Sequence, residues 1–415
     1  MPNEEPVAPR RAEKRAGAGR SARRVRRLAV VALLMAAVNL RPAVTSLGPV
    51  LEEVRAGLGM SATAAGVLTS VPAACFALVG SAAPRLARRY GTDGVVAAGM
   101  AVIAAGLALR VLVDGTALFM ALSALALAGI AVANVLLPVV VKQRFADRVG
   151  MMTGLYSMAL NLGASSAAAV TVPLARAFGG DWRAGLGAWA VLAAVAVPPW
   201  LALARRPAAA APDTGPGAPD AAPRPGVRLT RDPTAWALTV YFGLQATAAY
   251  VVIGWLPQIF RDAGLSAQTA GLLFAVTSVL GVPLSFVLAA VAGRLRSQSG
   301  VAVAIGLFGI AGYAGLWAAP AAAPLLWAVL LGVANCSFPL ALTMIGLRGR
   351  DSGTVIRLSA FAQSAGYLLS IPGPILVGAL YQHSGNWRAP LVFMTLLMLP
   401  QLVAGRLAGR DRQIG

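Results

Sequence analysis

Long apolar segments separated by short polar ones occupy almost the whole chain of 415 residues. About 20 consecutive apolar residues can cross the roughly 30 Å of hydrocarbon in a bilayer as one α-helix. The pattern therefore predicts an all-α membrane protein with twelve helical spans, numbered one to twelve in chain order: 28–50, 62–84, 92–112, 116–141, 150–175, 184–204, 235–257, 269–292, 300–319, 324–347, 355–380 and 388–408.

A segment rich in proline, alanine and glycine divides these spans into two groups of six. This segment has too few large apolar residues to form a core and is typical of a flexible linker. The predicted organisation is a basic tail at 1–27, a six-helix bundle at 28–204, a cytoplasmic linker at 205–231, a second six-helix bundle at 232–408 and a tail at 409–415. A basic tail before an apolar run also opens signal peptides, but eleven further spans follow, which favours a first span.

The charge distribution predicts the orientation of the chain. Only 12% of the residues are charged and 58% are hydrophobic, whereas soluble domains are about a quarter charged. The net charge of +20 comes from clusters between spans, which argues against nucleic-acid binding. The side shared by both termini carries 28 Lys and Arg residues, so the positive-inside rule predicts cytoplasmic termini in the cell membrane. The opposite side carries six: Arg55, Arg110, Arg176, Arg183, Arg261 and Arg388.

Three sequence matches relate the two groups of spans. Asn134-Val-Leu-Leu-Pro138 in span four recurs as Asn335-Cys-Ser-Phe-Pro339 in span ten, at an offset of 201 residues. The segments GMSATAAGVL and GLSAQTAGLL, and DWRAGL and NWRAPL, match at an offset of 205. Two six-helix halves in parallel repeat are expected to place a substrate near the membrane midplane, between the halves.

No arrangement of residues predicts catalysis. The single histidine, His383, is expected in an external loop, no span contains paired acids, and no phosphate-binding loop is present. Cys75 and Cys336 lie inside apolar segments and offer neither a disulfide framework nor a metal site. We therefore expect no cofactor and no enzymatic activity.

Polar residues inside spans are costly in lipid and normally face protein or a water-filled cavity. Spans three, six, nine and twelve contain almost none, which predicts that they screen the others from lipid. The polar residues of the remaining spans, which predict a cavity, are Asn39, Arg41, Asn134, Ser157, Asn161, Gln245, Tyr250, Asn335, Gln363 and Tyr367.

Arg41 is the most specific of these residues. A guanidinium near a helix centre costs about 2.5–3.5 kcal/mol and does not lose its proton. One interpretation is an anchor for an anionic or electron-rich substrate, which the absence of any Asp or Glu at a span centre favours. The other is an arginine satisfied by Asn39 and by carbonyl groups freed around Pro42.

The two Asn-x-x-x-Pro motifs and two polar stripes are further candidates. Each proline removes the bond that the asparagine carbonyl would accept, so Asn134 and Asn335 each combine an amide with an unpaired carbonyl. They are expected to hold either a ligand or a neighbouring helix. The stripes place polar side chains on one helix face, for binding or for helix association: Ser157, Asn161 and Ser165, and Ser359, Gln363 and Tyr367.

Several segments resemble one branch of a known family. They are NLRPAVTSLGPVL at 39–51, MTGLYSMALNLG at 152–163, YFGLQATAAYVVIGWLPQIFRDAGLS at 241–266 and FAQSAGYLLSIPGPILVGAL at 361–380. Nearly all of residues 28–408 is similar to the cyanate and nitroimidazole permeases of the major facilitator superfamily. The resemblance implies a single-chain secondary carrier for a small solute, working by alternating access and functional as a monomer in the lipid bilayer.

The loop after span two resembles the gating-loop signature of that superfamily, G-x-x-x-D-R-x-G-R-R. The matching residues are Gly80, Arg85, Arg88 and Arg89. Pro84 replaces the acidic residue and Ala87 the second glycine. The lost carboxylate puts the usual charge relay between the halves in doubt.

These observations predict a carrier in which Arg41 holds a small anion or polarised solute. The remaining polar residues of the cavity would complete its hydrogen bonds. One alternative is an exporter of neutral aromatic drugs that uses Trp255, Tyr250, Tyr367 and Phe361. A second alternative is a membrane sensor that transports nothing.

Overall fold

The computed structural model describes residues 8–205, 229–350 and 352–414. Within these residues the chain is helical almost throughout, and its extended backbone pairing is an isolated bridge between Gly349 and Ile414. The all-α prediction is confirmed. Eleven helices are long and apolar enough to span a membrane, and the described residues of span eight give a shorter apolar stretch, Ala267–Gly281.

The first half contains spans one to six. Span one comprises the end of the long helix Ala8–Asn39, which also includes the basic tail, followed by three short elements: Pro42–Thr45, the 3-10 turn Gly48–Val50 and Leu51–Leu58. Span two comprises Ala62–Leu78, the 3-10 turn Gly80–Ala82 and Ala83–Tyr90. Spans three to six are Thr92–Arg110, Thr116–Arg144, Val149–Ala177 and Trp182–Ala204, with a 3-10 turn at Ala146–Arg148.

The second half contains spans seven to twelve and begins with the 3-10 turn Leu229–Arg231. Spans seven, eight and nine are Pro233–Asp262, Ala267–Arg294 and Ser299–Ala318. Span ten is divided into Pro324–Ala334 and Ser337–Arg348, and span eleven into Ser352–Ser370 and Pro372–Ser384. Span twelve is Arg388–Ala408.

Two details differ from the sequence-based expectations, and a third expectation falls on residues that are not described. The backbone of the N-terminal tail is helical from Ala8 and continues directly into span one. His383 lies in the last turn of the helix Pro372–Ser384 rather than in a loop, because the helix ends only at Gly385, which has a φ of 65°. Most of the linker, 206–228, lies outside the described residues, so its flexibility stays a prediction.

Two of the three repeated sequence segments mark the starts of helices. Ser61 and Ser266 each accept a hydrogen bond at 3.1 Å from the backbone N–H three residues later, and thereby cap spans two and eight. Asp181 and Asn386 accept from the N–H groups of Arg183 and Arg388, both at 2.9 Å. A side-chain acceptor at a helix N-terminus satisfies a backbone donor that has no helical partner. These repeated segments therefore provide similar side-chain acceptors at the starts of equivalent helices in the two halves.

Matched close contacts between helices also relate the halves. A Cβ atom on Gly163 of span five would overlap the carbonyl oxygen of Val38 in span one. A Cβ atom on Gly366 of span eleven would lie 2.7 Å from Phe242 and 3.1 Å from the carbonyl oxygen of Thr239 in span seven. Glycine lets the two backbones approach closely in both halves, as the small residues of membrane helices commonly do.

The buried cores show where the two halves meet. Each half has a core of its own, one within residues 29–203 and the other within residues 235–414. A third core joins them and combines Leu51, Leu68 and Trp182 with Trp255 and Phe274. This joint core lies at the end opposite the chain termini, which we call the outer end. The end that carries the termini is called the terminal end.

Candidate functional site

Span one is interrupted at Arg41. Its first helix ends at Asn39, and the next begins at Pro42, whose ring nitrogen has no hydrogen to donate. The carbonyl oxygen of Arg41 accepts from the N–H groups of Val44 and Thr45, both at 3.0 Å, and from the Thr45 hydroxyl at 3.1 Å. The turn thus satisfies this carbonyl without help from the guanidinium.

The guanidinium of Arg41 is free to bind a ligand. The residue is partly exposed, and its side chain makes no hydrogen bond or ion pair with any residue the structure describes. Its charge interacts electrostatically with the phenol groups of Tyr156, Tyr250 and Tyr367. These tyrosines belong to spans five, seven and eleven, so Arg41 lies between the halves.

No carboxylate of the chain lies at the centre of a span. The acids in the last helix of span one, Glu52 and Glu53, form ion pairs with Arg261 at the outer end. The charge of Arg41 is therefore left without a protein counter-ion among the described residues. A cation of this kind, surrounded by phenol groups, suits an anion or an electron-rich group.

Three amides of the sequence-predicted site bond within their own half. Asn39 is only 2% exposed and donates to the carbonyl oxygens of Met35 at 2.8 Å and Leu192 at 3.2 Å. Asn161 donates to the Ser157 carbonyl oxygen at 2.8 Å. Gln363 donates to the Ser359 hydroxyl at 2.7 Å. The hydrogen bonds of Asn161 and Gln363 each lie within one helix. They therefore do not join the polar stripes to neighbouring helices.

The two asparagines of the proline motifs lie in different surroundings. Asn134 is partly exposed within span four, whose helix is continuous past Pro138. Asn335 marks the break in span ten, where its carbonyl oxygen accepts from the Phe338 N–H at 3.2 Å. The unpaired carbonyl expected at Asn335 is therefore absent, because the chain tightens into a three-residue turn.

Gln245 and Asn335 line a small pocket inside the second half. Tyr313, Met398 and Gln401 complete its wall, and the space is about large enough for one water molecule. The Oε1 atoms of Gln245 and Gln401 have no hydrogen-bond partner among the described residues. Spans nine and twelve thus contribute polar groups here, although the sequence predicted only a screening role for them.

Aromatic side chains connect the halves beside Arg41. Tyr367 stacks on Phe76 of span two with ring centroids 5.4 Å apart. Its ring also meets Phe242 edge to face at 5.0 Å. Tyr250 is buried in the joint core. Tyr250 and Tyr367 therefore lie together near Arg41, and an aromatic contact between the halves adjoins them.

The segment that resembles the gating-loop signature is helical rather than a loop, because the 3-10 turn Gly80–Ala82 leads directly into the helix Ala83–Tyr90 at the terminal end. Gly80 is buried, whereas Arg85, Arg88 and Arg89 are not. The Arg89 guanidinium carbon lies 5.2 Å from the ring centroid of Tyr90. A carboxylate just after this segment, Asp93, pairs with Arg144 of span four. This ion pair is confined to the first half.

Two other charged groups link segments at the terminal end. Arg26 of the first helix donates to Asp147 in the turn between spans four and five, at 2.6 Å. This hydrogen bond holds the pKa of Asp147 below its usual range. Both residues are well exposed, so the pair orders the loop rather than stabilising the core.

The hydrogen bonds found between described side chains of opposite halves lie toward the outer end. Arg261 of span seven pairs with Glu52 at 2.8 Å and with Glu53 at 2.8 Å. Thr63 of span two donates to Gln382 of span eleven, and Arg176 of span five to Gln268 of span eight. The outer end is closed by these contacts and by the joint core.

We expect Arg261→Gln to loosen this closure by a few-fold, because partly exposed ion pairs contribute about 0.2–1 kcal/mol each. A cysteine at Thr69 reports it, since Thr69 is buried against Gly254 of the other half. In a Cys75→Ala and Cys336→Ala background, an impermeant maleimide added from the outer side should label this cysteine faster in the Arg261→Gln variant.

The control is Arg183→Gln, which breaks an outer ion pair within one half and should leave the labelling rate unchanged. Equal labelling in all three proteins would refute the role of Arg261.

Three residues of the interior were not predicted from the sequence. Tyr156 stands one position off the polar stripe of span five but interacts with Arg41. Gln401 is 3% exposed within span twelve. Arg110, counted with the charges of the outer side, is 1% exposed and points inward. Tyr156 and Gln401 could have been found as polar residues within spans, whereas Arg110 stands at a span end.

The two six-helix halves meet at the outer end, and the charged side chain of Arg41 lies between them. This arrangement is that of a membrane transporter. The chain belongs to the major facilitator superfamily, whose sequence profile matches residues 28–371. It is a multi-pass integral protein of the cell membrane, and the family assignment favours a carrier over an enzyme or a sensor.

Comparisons with individual proteins agree with this assignment. The chain is 34% identical over 387 residues to the uncharacterized transporter YycB of Bacillus subtilis (strain 168), covering 93% of this chain and 94% of the relative. It is 33% identical over 387 residues to the 2-nitroimidazole transporter of Escherichia coli (strain K12), covering 93% and 96%. It is 29% identical over 375 residues to the cyanate transport protein CynX of the same organism, covering 90% and 95%.

A solved structure supports the fold. A bacterial homologue of the human lysosomal transporter Spinster, in an inward-facing and unoccupied conformation, superposes with a TM-score of 0.73. The alignment covers 94% of this chain and 98% of that one at 16% identity. At this identity the likeness shows the fold alone.

Proposed function

We propose that this transporter moves a small anion, or a small solute with a polarised and electron-rich end, and that Arg41 binds that end. The observation that supports this most is the free guanidinium between the halves, with no ion pair to any described carboxylate. The relatives named for 2-nitroimidazole and for cyanate have cargoes that fit the proposal. A cyanate ion presents a full negative charge to a guanidinium, and the oxygen atoms of a nitro group present partial negative charge.

The contacts between the halves support alternating access. The outer end is closed by a joint core, whereas each half keeps its own core toward the terminal end. Rocking of the halves would move Tyr250 and Tyr367 relative to Arg41 and Tyr156. Because no span centre carries Asp or Glu, we propose facilitated diffusion, anion exchange or proton movement on the solute itself. We propose that the carrier works as a monomer, with the site built from residues of one chain.

A binding screen tests the proposed cargo class. A ligand that binds only the folded protein stabilises it, by about 2.7 kcal/mol at 100 times its dissociation constant. The thermal unfolding midpoint of purified protein should rise in a saturable way with cyanate or benzoate, and not with the neutral analogue benzamide. Flux of the stabilising solute into proteoliposomes would then establish transport. A shift with benzamide equal to that with benzoate would contradict a role for negative charge.

Export of neutral aromatic solutes is the second candidate. The aromatic contact of Phe76, Tyr367 and Phe242 beside Arg41 favours it. Of the other residues expected for this function, Trp255 is fully buried among Tyr381 and Trp387 at the outer end. Binding of uncharged nitroheterocycles that survives removal of the Arg41 charge would favour this candidate over the first.

A further inference from the structure

Arg110 stands at the last position of span three, but its side chain turns into the protein. It is 1% exposed and lines a pocket with Ala43, Thr69, Ser123 and Gly254. The space is about large enough for one water molecule. This pocket differs from the site at Arg41, which is not among its lining residues.

The donors of Arg110 are mostly unused. Its Nη1 atom donates to the carbonyl oxygen of Ala43 at 3.1 Å. Its Nε and Nη2 atoms have no partner in the part of the chain that the structure describes, and neither has the hydroxyl of Ser123 in the same pocket. The ring of Phe119 covers one side, with its centroid 5.8 Å from the guanidinium carbon.

Arg348 shows how this protein satisfies another buried arginine. It is 2% exposed and donates to the side-chain oxygen of Gln298 and to the carbonyl oxygens of Ala408 and Gly409. Arg110 has one such bond and no ion pair with a described carboxylate. Burying an unpaired charge has a large free-energy cost, so we expect Arg110 to bind a partner that carries negative charge.

We propose that Arg110 and Ser123 bind a small monovalent anion of halide size. A monatomic anion is only slightly larger than the water molecule that the pocket would hold. It would accept from Nε and Nη2 of Arg110 and from the Ser123 hydroxyl, which leaves none of these donors unpaired. A water molecule could accept some of these bonds but would not balance the charge.

The walls of the pocket connect the anion to the conformational cycle. Ile253 and Gly254 come from span seven of the second half, whereas Arg110 and Ser123 belong to the first. Thr69 packs directly on Gly254 where the halves meet. The anion is therefore enclosed only while the outer end is closed. By linkage, an anion that binds this form shifts the population toward it.

The test is a halide titration in a gluconate buffer free of other small anions. The thermal unfolding midpoint of wild-type protein should rise by a few degrees in a saturable way with chloride or bromide. Arg110→Gln should abolish the shift. Ser123→Ala should weaken the apparent halide affinity by about tenfold, as expected for one lost hydrogen bond to a charged group. Arg388→Gln, which changes an arginine at the outer end that is not buried, should respond as wild type does.

Two further measurements distinguish the Arg110 site from the Arg41 site and cover a variant that does not fold. Arg41→Gln should keep the halide shift, which separates this site from the proposed cargo site. If Arg110→Gln does not fold, Ser123→Ala and the anomalous signal of bromide in crystals decide the question. Bromide within hydrogen-bonding distance of Arg110 would support the site. No halide shift in wild-type protein, the same halide affinity in Ser123→Ala, or a water molecule in place of bromide would overturn it.

Discussion

Replacing Arg41 with Gln should lower uptake by about 100-fold or more at substrate concentrations below saturation. A charge-assisted hydrogen bond contributes about 1.5–3 kcal/mol, and a guanidinium can form two in parallel to one anionic group. Each 1.4 kcal/mol changes binding about tenfold. The measurement is initial uptake of radiolabelled solute, from the class that the binding screen identifies, into proteoliposomes of equal protein content.

The same substitution should not harm the fold. The guanidinium has no bond to a described residue, and a charge within a span costs about 2.5–3.5 kcal/mol. The variant should therefore unfold at the same temperature as wild type or higher. Arg388→Gln removes an arginine at the outer end that is not buried and should leave uptake unchanged. Unimpaired uptake by Arg41→Gln would refute the anchor.

Gly66→Val should trap the carrier with its outer end open. A Cβ atom on Gly66 of span two would lie 2.5 Å from the carbonyl oxygen of Pro374 and 3.0 Å from the Cα atom of Ile375, both in span eleven. These are backbone atoms, so only separation of the halves relieves the overlap. Overpacking costs about 1–3 kcal/mol, which shifts the conformational equilibrium by about 5- to 150-fold.

Transport by Gly66→Val should fall by a comparable factor, and the cysteine at Thr69 should become much more reactive to maleimide from the outer side. Gly94→Val is the matched control, because Gly94 is also helical but a Cβ atom there would have no neighbour within 4 Å. The insertion of both variants should match wild type. Normal transport by Gly66→Val would show that spans two and eleven need not meet in the cycle.

The spans and their division into halves could be predicted because hydropathy and length alone determine which segments cross a bilayer. The internal repeat could also be detected from the sequence, since Ser61 and Ser266 cap helices through local hydrogen bonds to residues three positions away. Arg41 could be singled out from the sequence because an arginine at a span centre raises the free energy of membrane insertion whichever way its side chain points. These features depend on the chain near each residue.

The partners of the polar side chains could not be predicted in the same way. Asn39 was expected in the cavity, but its amide reaches the carbonyl oxygen of Leu192, 153 residues away in span six. Arg110 was expected outside because it ends span three, but a long side chain at a helix end can turn toward either side. Only the packing of spans one and four around it reveals which.

The contacts of Arg348 impose an order on biosynthesis. Its carbonyl acceptors, Ala408 and Gly409, follow it by 60 and 61 residues, at the end of span twelve and directly after it. A chain that emerges from the ribosome N-terminus first therefore carries span ten into the membrane before those acceptors exist. The second half can complete its terminal end only when its last helix has been delivered. Until then, lipid headgroups, water or the insertion machinery must solvate that arginine.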